Sequence, residues 1–439
     1  MAHPKKIRKI TPHAAGIDIG TEKIFVSVEA QAVRSFDTFT YTLHQARDYL
    51  LQHNVETVAM EATGVYWIPL YEILEAAGLD VALVNGAHVK NVPGRKSDVL
   101  DCEWLQELHS YGLLRSSFIP EAEIRQLRCY VRLRDDHIEM AASHIQHMHK
   151  ALDLMNLKLH RVISQIQGKS GLAIVEAIVT GERDVQVLVE LCDQRILNRK
   201  RAAVIASLEG HYRDEHVFAL GQALACYRFY QEKMRECDQQ IAALLEAMTA
   251  EMVVPEQSKP PKPMRHNAPE IADLHVRLLQ LTGGRDLAHL VGLTDHTVLK
   301  LLAETGTDIS KWPSEKHFTS WAGLAPGSHQ SGKRRKRRKR RHKNRVGQIF
   351  RECAQAVGQS RHLALGGFYR RLRARRGVRV AAVATARKLA VLYYRMLKYG
   401  FAYVEQGLQA YEQQYQEQQV RYLKKKAKAL GFEVVVATG

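Results

Sequence analysis

A multidomain chain is predicted, an α/β domain followed by helical segments, on three observations. Strand-like and helix-like patterns alternate over the first 115 residues or so. Helical periodicity alone then runs to about residue 252. A Pro- and charge-rich break, "PEQSKPPKPMRHNAPE" at 255–270, precedes a second helical stretch. Length agrees, since 439 residues exceed one usual domain, and 46% apolar residues can fill separate cores.

The elements follow in order. In "AGIDIGTEKIFVSVEA", apolar residues alternate on both sides of a Gly-Thr turn, predicting strand, turn and strand. "VRSFDTFTYT" reads as a third strand, "HQARDYLLQHN" as a short helix and "VETVAMEA" as a buried strand. "GVYWIPLYEILEAAGL" is an amphipathic helix with Trp67, Leu70, Ile73 and Leu74 on one face. "DVALVN" is the next strand. "RKSDVLDCEWLQELHSYG" is a helix with Val99, Cys102, Leu105 and Leu108 to one side. Strands first and βαβ units after them predict a mixed sheet over residues 1–118.

From 119 to 254 the spacing is that of a coiled coil. Tyr227, Tyr230, Met234, Cys237, Ile241, Leu244 and Met248 form one seam. Ile124, Leu127, Val131 and Ile138, then Ile145, Met148, Leu152 and Met155, form another. Two long helices with a small helical insert would make an antiparallel arm for spacing or oligomerisation. Residues 255–270 read as a linker and 271–402 as a second helical domain. The tail, 403–439, is helical, Gln-rich at first and then basic.

Composition narrows the function. The formal charge is +18, from 64 Lys and Arg against 46 Asp and Glu, which suggests a polyanionic partner. No apolar run reaches the roughly 18 residues of a membrane span, and "MAHPKKIRKITPHAAG" lacks a signal-peptide core. A soluble, intracellular, nucleic-acid-binding protein is expected, with no membrane partner. The six cysteines form no CxxC pair, which argues against a zinc knuckle or a disulfide framework. His144, His147 and His149 read as a polar helix face.

Four acids fall at particular places. Asp18 lies in the first strand and Glu61 ends "VAMEA". Asp98 and Asp101, three apart at a helix start, share one face. Acids at strand ends and on a crossing helix can converge on one point. Carboxylates supply the oxygen ligands that Mg²⁺ prefers, and two such ions can clamp a phosphodiester. "GIDIGT" also opens kinases of the actin type. Those need a second phosphate loop, an Asp followed by several glycines, and a Gly-rich adenosine site. Neither is present; "LTGGRD" has its Asp after the glycines.

Between Lys333 and Arg345, eleven of thirteen residues are Lys or Arg, a run expected to be disordered or extended until it meets phosphate. Candidate nucleic-acid contacts are Lys333, Arg334, Arg335, Lys336, Arg337, Arg338, Lys339, Arg340 and Arg341, together with Arg95 and Lys96 beside the acids. Ser331, in "GSHQSGK", adjoins this run; by spacing alone it reads as a turn residue.

Several blocks, in order, carry a resemblance: "GIDIGTEK", "AMEATGVYW", "VNGAHVKNVPGRKSDVLDCEWLQEL", "IQGKSGLAIVEAIVTGERD", "FTSWAGLAPGSHQSGK" and "ARKLAVLYYRMLKYG". From about 14 to 402 the chain resembles transposases of the insertion sequence 110 family. The resemblance implies a RuvC-like domain of ribonuclease H fold, a coiled-coil segment, and a helical transposase domain with an essential serine. It places the family's four-acid site on Asp18, Glu61, Asp98 and Asp101, holding Mg²⁺. It places the serine on Ser331 in preference to Ser328 or Ser320. It implies a covalent phosphoserine–DNA intermediate, donor and target DNA as substrates, and a structured guide (bridge) RNA. It also implies a homo-oligomer, dimer or tetramer, with the acid site and the serine contributed by different subunits, in a bacterial cytoplasm beside the nucleoid. A resolvase-like nuclease using only the acids and water is the alternative, and a silent nucleic-acid-binding protein a third. Two departures stand out. The Lys/Arg run replaces a short Gly-containing turn, and "LTGGRDLAHLVGL" is a loose version of the family's helix-hairpin-helix turn.

Overall fold

The N-terminal strand patterns assemble into one five-stranded sheet in the computed structural model, which describes residues 8–86, 98–255, 266–325, 328–331, 334–337, 344–361 and 363–433. The chain divides into two units, residues 1–119 and 120–439.

In the first unit, β1 (Ala14–Ile19) and β2 (Lys23–Val28) pair antiparallel around a tight turn, where the Gly20 N–H donates to the Lys23 carbonyl at 2.9 Å. β3 (Arg34–Asp37) extends the hairpin. β4 (Thr57–Glu61) and β5 (Asp80–Val84) add in parallel on the other side, giving the order β3-β2-β1-β4-β5. The third strand is shorter than expected. It stops at Asp37, and α1 (Thr40–Gln52) begins inside the span read as strand. The buried Thr42 hydroxyl turns back to the carbonyls of Asp37 and Phe39, at 2.7 Å each, a local bond that overrides threonine's strand preference.

Alternation assigns the two faces. Ile17, Ile19, Ile24, Val26, Val58 and Met60 face α1 and α2 (Trp67–Ala76), meeting Leu43, Leu50, Leu70 and Leu74. Pro69 is tolerated in the first turn of α2, where its missing donor costs no helical bond. On the other face lies α3 (Asp98–Ser110), whose Leu105 packs with Val84. Both faces being covered, Thr57 to Met60 are all buried. This mixed topology is compatible with a ribonuclease H-like domain.

The buried side of α3 differs from expectation. Cys102, Leu105 and Gln106 are buried, but Val99 is 39% exposed and Leu108 half-buried. The helix meets the sheet at Gly16. A Cβ there would lie 2.3 Å from the Cys102 carbonyl oxygen and 2.4 Å from the Gln106 backbone nitrogen. Backbone contact at that turn brings Gln106 under the sheet, and the first turn carries Val99 past it.

In the second unit, α4 (Ala122–Leu154) and α9 (Asp214–Thr249) run antiparallel. Arg134 meets Asp238, while His144, further along, stacks on Tyr230 at 5.6 Å. Towards the end of α9 the buried residue is Leu245, with Leu244 only half-buried. A straight helix keeps 3.6 residues per turn, so a seam read at tighter spacing drifts off its face. Between the two helices lie α5 (Leu159–Val162), α6 (Lys169–Val179), α7 (Val185–Glu190) and α8 (Gln194–Leu208). Their Ile174, Ile178, Leu188 and Leu208 share a core with Met148 and Tyr227 of the long pair.

The remaining helices are α10 (Leu274–Leu281), α11 (Asp295–Thr305), α12 (Glu315–Trp321), α13 (Arg345–Gln359), α14 (Ala364–Arg376), α15 (Val378–Tyr399) and α16 (Phe401–Ala429). Phe318, Phe350, Tyr393 and Tyr394 are buried at their centre. The Tyr393 hydroxyl lies 2.9 Å from the Thr305 hydroxyl, and Tyr394 donates to the Trp312 carbonyl at 2.8 Å. The end of α11 is fastened to α4. Arg128 donates to the Ala303 and Glu304 carbonyls at 3.0 and 2.8 Å, and Arg132 holds the Glu304 carboxylate with two bonds of 2.7 Å. The Arg128 guanidinium satisfies last-turn carbonyls that the helix cannot. One hairpin interrupts the helical stretch, β6 (Ser328–Ser331) with β7 (Arg334–Arg337). Among the described residues no helix is long and apolar enough to cross a membrane.

Candidate active site

Strand register brings two acids together. Ile17 of β1 lies beside Met60 of β4, so the next residues, Asp18 and Glu61, are neighbours at the carboxyl ends of parallel strands. Such ends are where sites in α/β sheets usually form. Alternation turns both acids towards the face that α3 covers, and both are half-buried.

The helix supplies the rest. The Gln106 amide donates to the Ala14 carbonyl at 3.2 Å, near the start of β1. Cys102 sits one turn earlier on α3 and feels Asp18, near the end of β1. Burial first, and then the Asp18 charge, push its thiol up to about 12. The helix therefore runs against the strand. Its first turn, with Asp98 and Asp101, comes to the end where Asp18 and Glu61 lie. Asp101 is half-buried. Asp98 opens the helix, and its side chain lies outside the described residues, as do Arg95 and Lys96.

Two glycines shape this end. A Cβ at Gly86 would fall 1.9 Å from Glu61 Oε1, so the missing side chain leaves room for the carboxylate. Gly16 does the same for the helix backbone. Reading the sequence for acids missed both. The signal for Gly16 was there: it stands two residues before Asp18, on the same face of the strand.

The donor set is hard oxygen, with the neighbouring thiol held neutral, and it suits a divalent cation of the Mg²⁺ kind. Among the described residues no three His, Cys, Asp or Glu side chains already stand close enough to hold a metal.

Ser331 occupies the last position of β6, opposite Arg334, and Ser328 the first, opposite Arg337. The backbone of Ser331 is thus in a strand, where spacing alone read a turn. Arg334, Arg335, Lys336 and Arg337 form β7. Lys333, Arg338, Lys339, Arg340 and Arg341 lie outside the described residues. Ser320 is exposed on α12.

Two family models match this chain. Residues 15–157, which hold all four acids, match a transposase model of the DEDD insertion sequence 110 type. Residues 284–370, which hold the hairpin, match the model "Transposase IS116/IS110/IS902 family". The chain belongs to the insertion sequence 110 family of transposases. Membership makes it a DNA-recombining protein, with DNA as its substrate. No curated protein gives a match. In this transposase the four candidate acids fall in the first matched segment and Ser331 in the second.

Proposed function

We propose that the chain cuts and rejoins DNA strands with an acid centre at the carboxyl end of its sheet and a serine nucleophile on its hairpin. The observation that carries this is the register of β1 and β4, which sets Asp18 beside Glu61 where α3 begins. Asp18, Glu61, Asp98 and Asp101 are the residues that would hold Mg²⁺; bound there, the cation would offset negative charge on a scissile phosphate. The acids hold that position because β1, β4 and α3 are rigid elements packed against one another.

Ser331 attacks the phosphorus. A bond from its Oγ to phosphorus forms, the bond to the leaving DNA oxygen breaks, and the departing strand carries away a hydroxyl. A free DNA hydroxyl then reverses the step, releasing the serine and joining a new strand without loss of bond energy to water. The cationic run beside Ser331 supplies charge against the phosphate backbone. A structured guide RNA from the element selects donor and target DNA, and a homo-oligomer brings an acid centre and a serine from different subunits to one phosphate. The resemblance set out above supports these last two parts.

Trapping on nicked suicide DNA tests the scheme. Wild-type protein should yield a covalent protein–DNA adduct that Ser331→Ala abolishes. Asp98→Ala should lose strand cleavage with its fold intact. Cleavage surviving Ser331→Ala, with no adduct at any stage, would leave a water-using nuclease. Normal cutting by Asp98→Ala would refute the acid centre.

A further inference from the structure

Positive charge is not spread evenly over this chain. Between Cys353 and Val404 there are eleven Lys or Arg and no Asp or Glu. The run 333–345 holds another eleven. Together they exceed the whole-chain excess of +18, so the remainder is net acidic. The run is visible in the sequence. The other stretch is interleaved with apolar residues and becomes a surface only when α14 and α15 fold.

Folding sends Leu365, Tyr369, Ala381 and Leu389 inward. It leaves Arg373, Arg375, Arg376 and Arg379 exposed around Gly377, which joins the two helices at φ +82°. None of the four makes an ion pair or a side-chain hydrogen bond among the described residues. Their neighbours do have partners. Arg370 donates to the Gly358 carbonyl at 3.3 Å, Arg371 lies 5.6 Å over the Tyr415 ring, and Arg395 holds Glu315 with bonds of 2.6 and 2.9 Å.

Compensation of the helix dipole accounts for Arg373, Arg375 and Arg376, in the last turn of α14. It does not account for Arg379, in the first turn of α15, where a cation opposes the dipole and no acid balances it. Like charges this close repel one another until an anion arrives.

We propose that the α14–α15 corner binds the phosphate backbone of duplex DNA. Guanidinium forks match phosphate oxygens. Binding a single strand would call for exposed aromatic rings on which bases stack. At this corner Tyr369 is buried, and Phe368 and Tyr415 lie beneath Lys388 and Arg371. A membrane surface would call for exposed apolar anchors; Val378, 47% exposed, is one residue. DNA is the substrate of the family, and the corner lies beyond the matched segment, which ends at residue 370. The proposal rests on family membership and not on the acid or serine chemistry.

The test is fluorescence anisotropy of a short labelled duplex with the full chain over a range of salt. The variant Arg373→Ala/Arg375→Ala/Arg376→Ala/Arg379→Ala should bind more weakly whatever the sequence. Its slope of log affinity against log salt should be shallower by about one unit per arginine in contact. Should the fourfold variant misfold by circular dichroism, Arg375→Ala/Arg376→Ala and Arg379→Ala alone should each show a proportionate share. An unchanged slope overturns the proposal. So does a loss confined to an RNA duplex of equal length. Strand cleavage is not read, so failure of the acid or serine chemistry would not touch this result.

Discussion

Gly16 shows how little space a single residue can decide. One of its Cα hydrogens faces the backbone of α3, and a methyl there would overlap the Cys102 carbonyl. Gly16→Ala should push the helix off β1, costing about 1–3 kcal/mol by overpacking. It should also lower cleavage although every acid is intact; urea unfolding and single-turnover cleavage would measure the two effects, and normal cleavage would count against the site. Gly86→Ala acts on one ligand instead. It should displace Glu61 with little change in stability, so that activity falls at an unchanged urea midpoint. Cysteines offer a check on burial. Cys353, 6% exposed, has its thiol pushed up to about 12, mainly by burial, whereas Cys129 is exposed. Alkylation at pH 8, followed by mass spectrometry, should modify Cys129 quickly and Cys353 only on unfolding.

Among the elements, α4 and α9 share a buried ion pair beside their apolar contacts. Arg134 and Asp238 are each 2% exposed and meet at 2.5 and 3.2 Å, and Asp238 also accepts the Glu270 N–H at 3.0 Å. Removing one partner strands a buried charge. Arg134→Leu should destabilise the second unit by about 3–5 kcal/mol in urea unfolding. Arg134→Leu/Asp238→Leu should recover much of that, and a double variant as unstable as the single would refute the account. Close by, His296 on α11 is 9% exposed, and burial, then Arg134 and Lys300, push it down to about 3. The unfolded chain, with an ordinary histidine near 6.5, takes a proton first as pH falls. Stability from this residue is therefore whole above about pH 6.5 and declines towards pH 3, by up to about 5 kcal/mol. Urea midpoints at pH 4.5 and 7.5 should diverge more for wild type than for His296→Gln.

For the whole molecule, the first unit has a sheet covered on both faces and a core of its own, which Ile119 joins. A fragment of residues 1–119 should fold alone, with a cooperative thermal transition and dispersed amide resonances. Much of its architecture was legible in residues. Period-two alternation in "GIDIGTEKIFVSV" and the apolar runs at β4 and β5 mark strands because a sheet buries alternate side chains. The strand-end positions of Asp18 and Glu61 were legible too, as polar groups at the ends of apolar runs. Thr40 to Thr42 were misread, since a hydroxyl bonded to a nearby carbonyl outweighs propensity, and the β6–β7 hairpin was lost among cations. By itself the sequence determined the family, the strand and helix periods and the excess of positive charge, all of which are local or summed properties of the chain. Tertiary structure alone decided which carboxylates are neighbours, why Gly16 and Gly86 must be glycine, and that scattered arginines form one surface. Those depend on register and on the closest approach of backbones far apart in the chain.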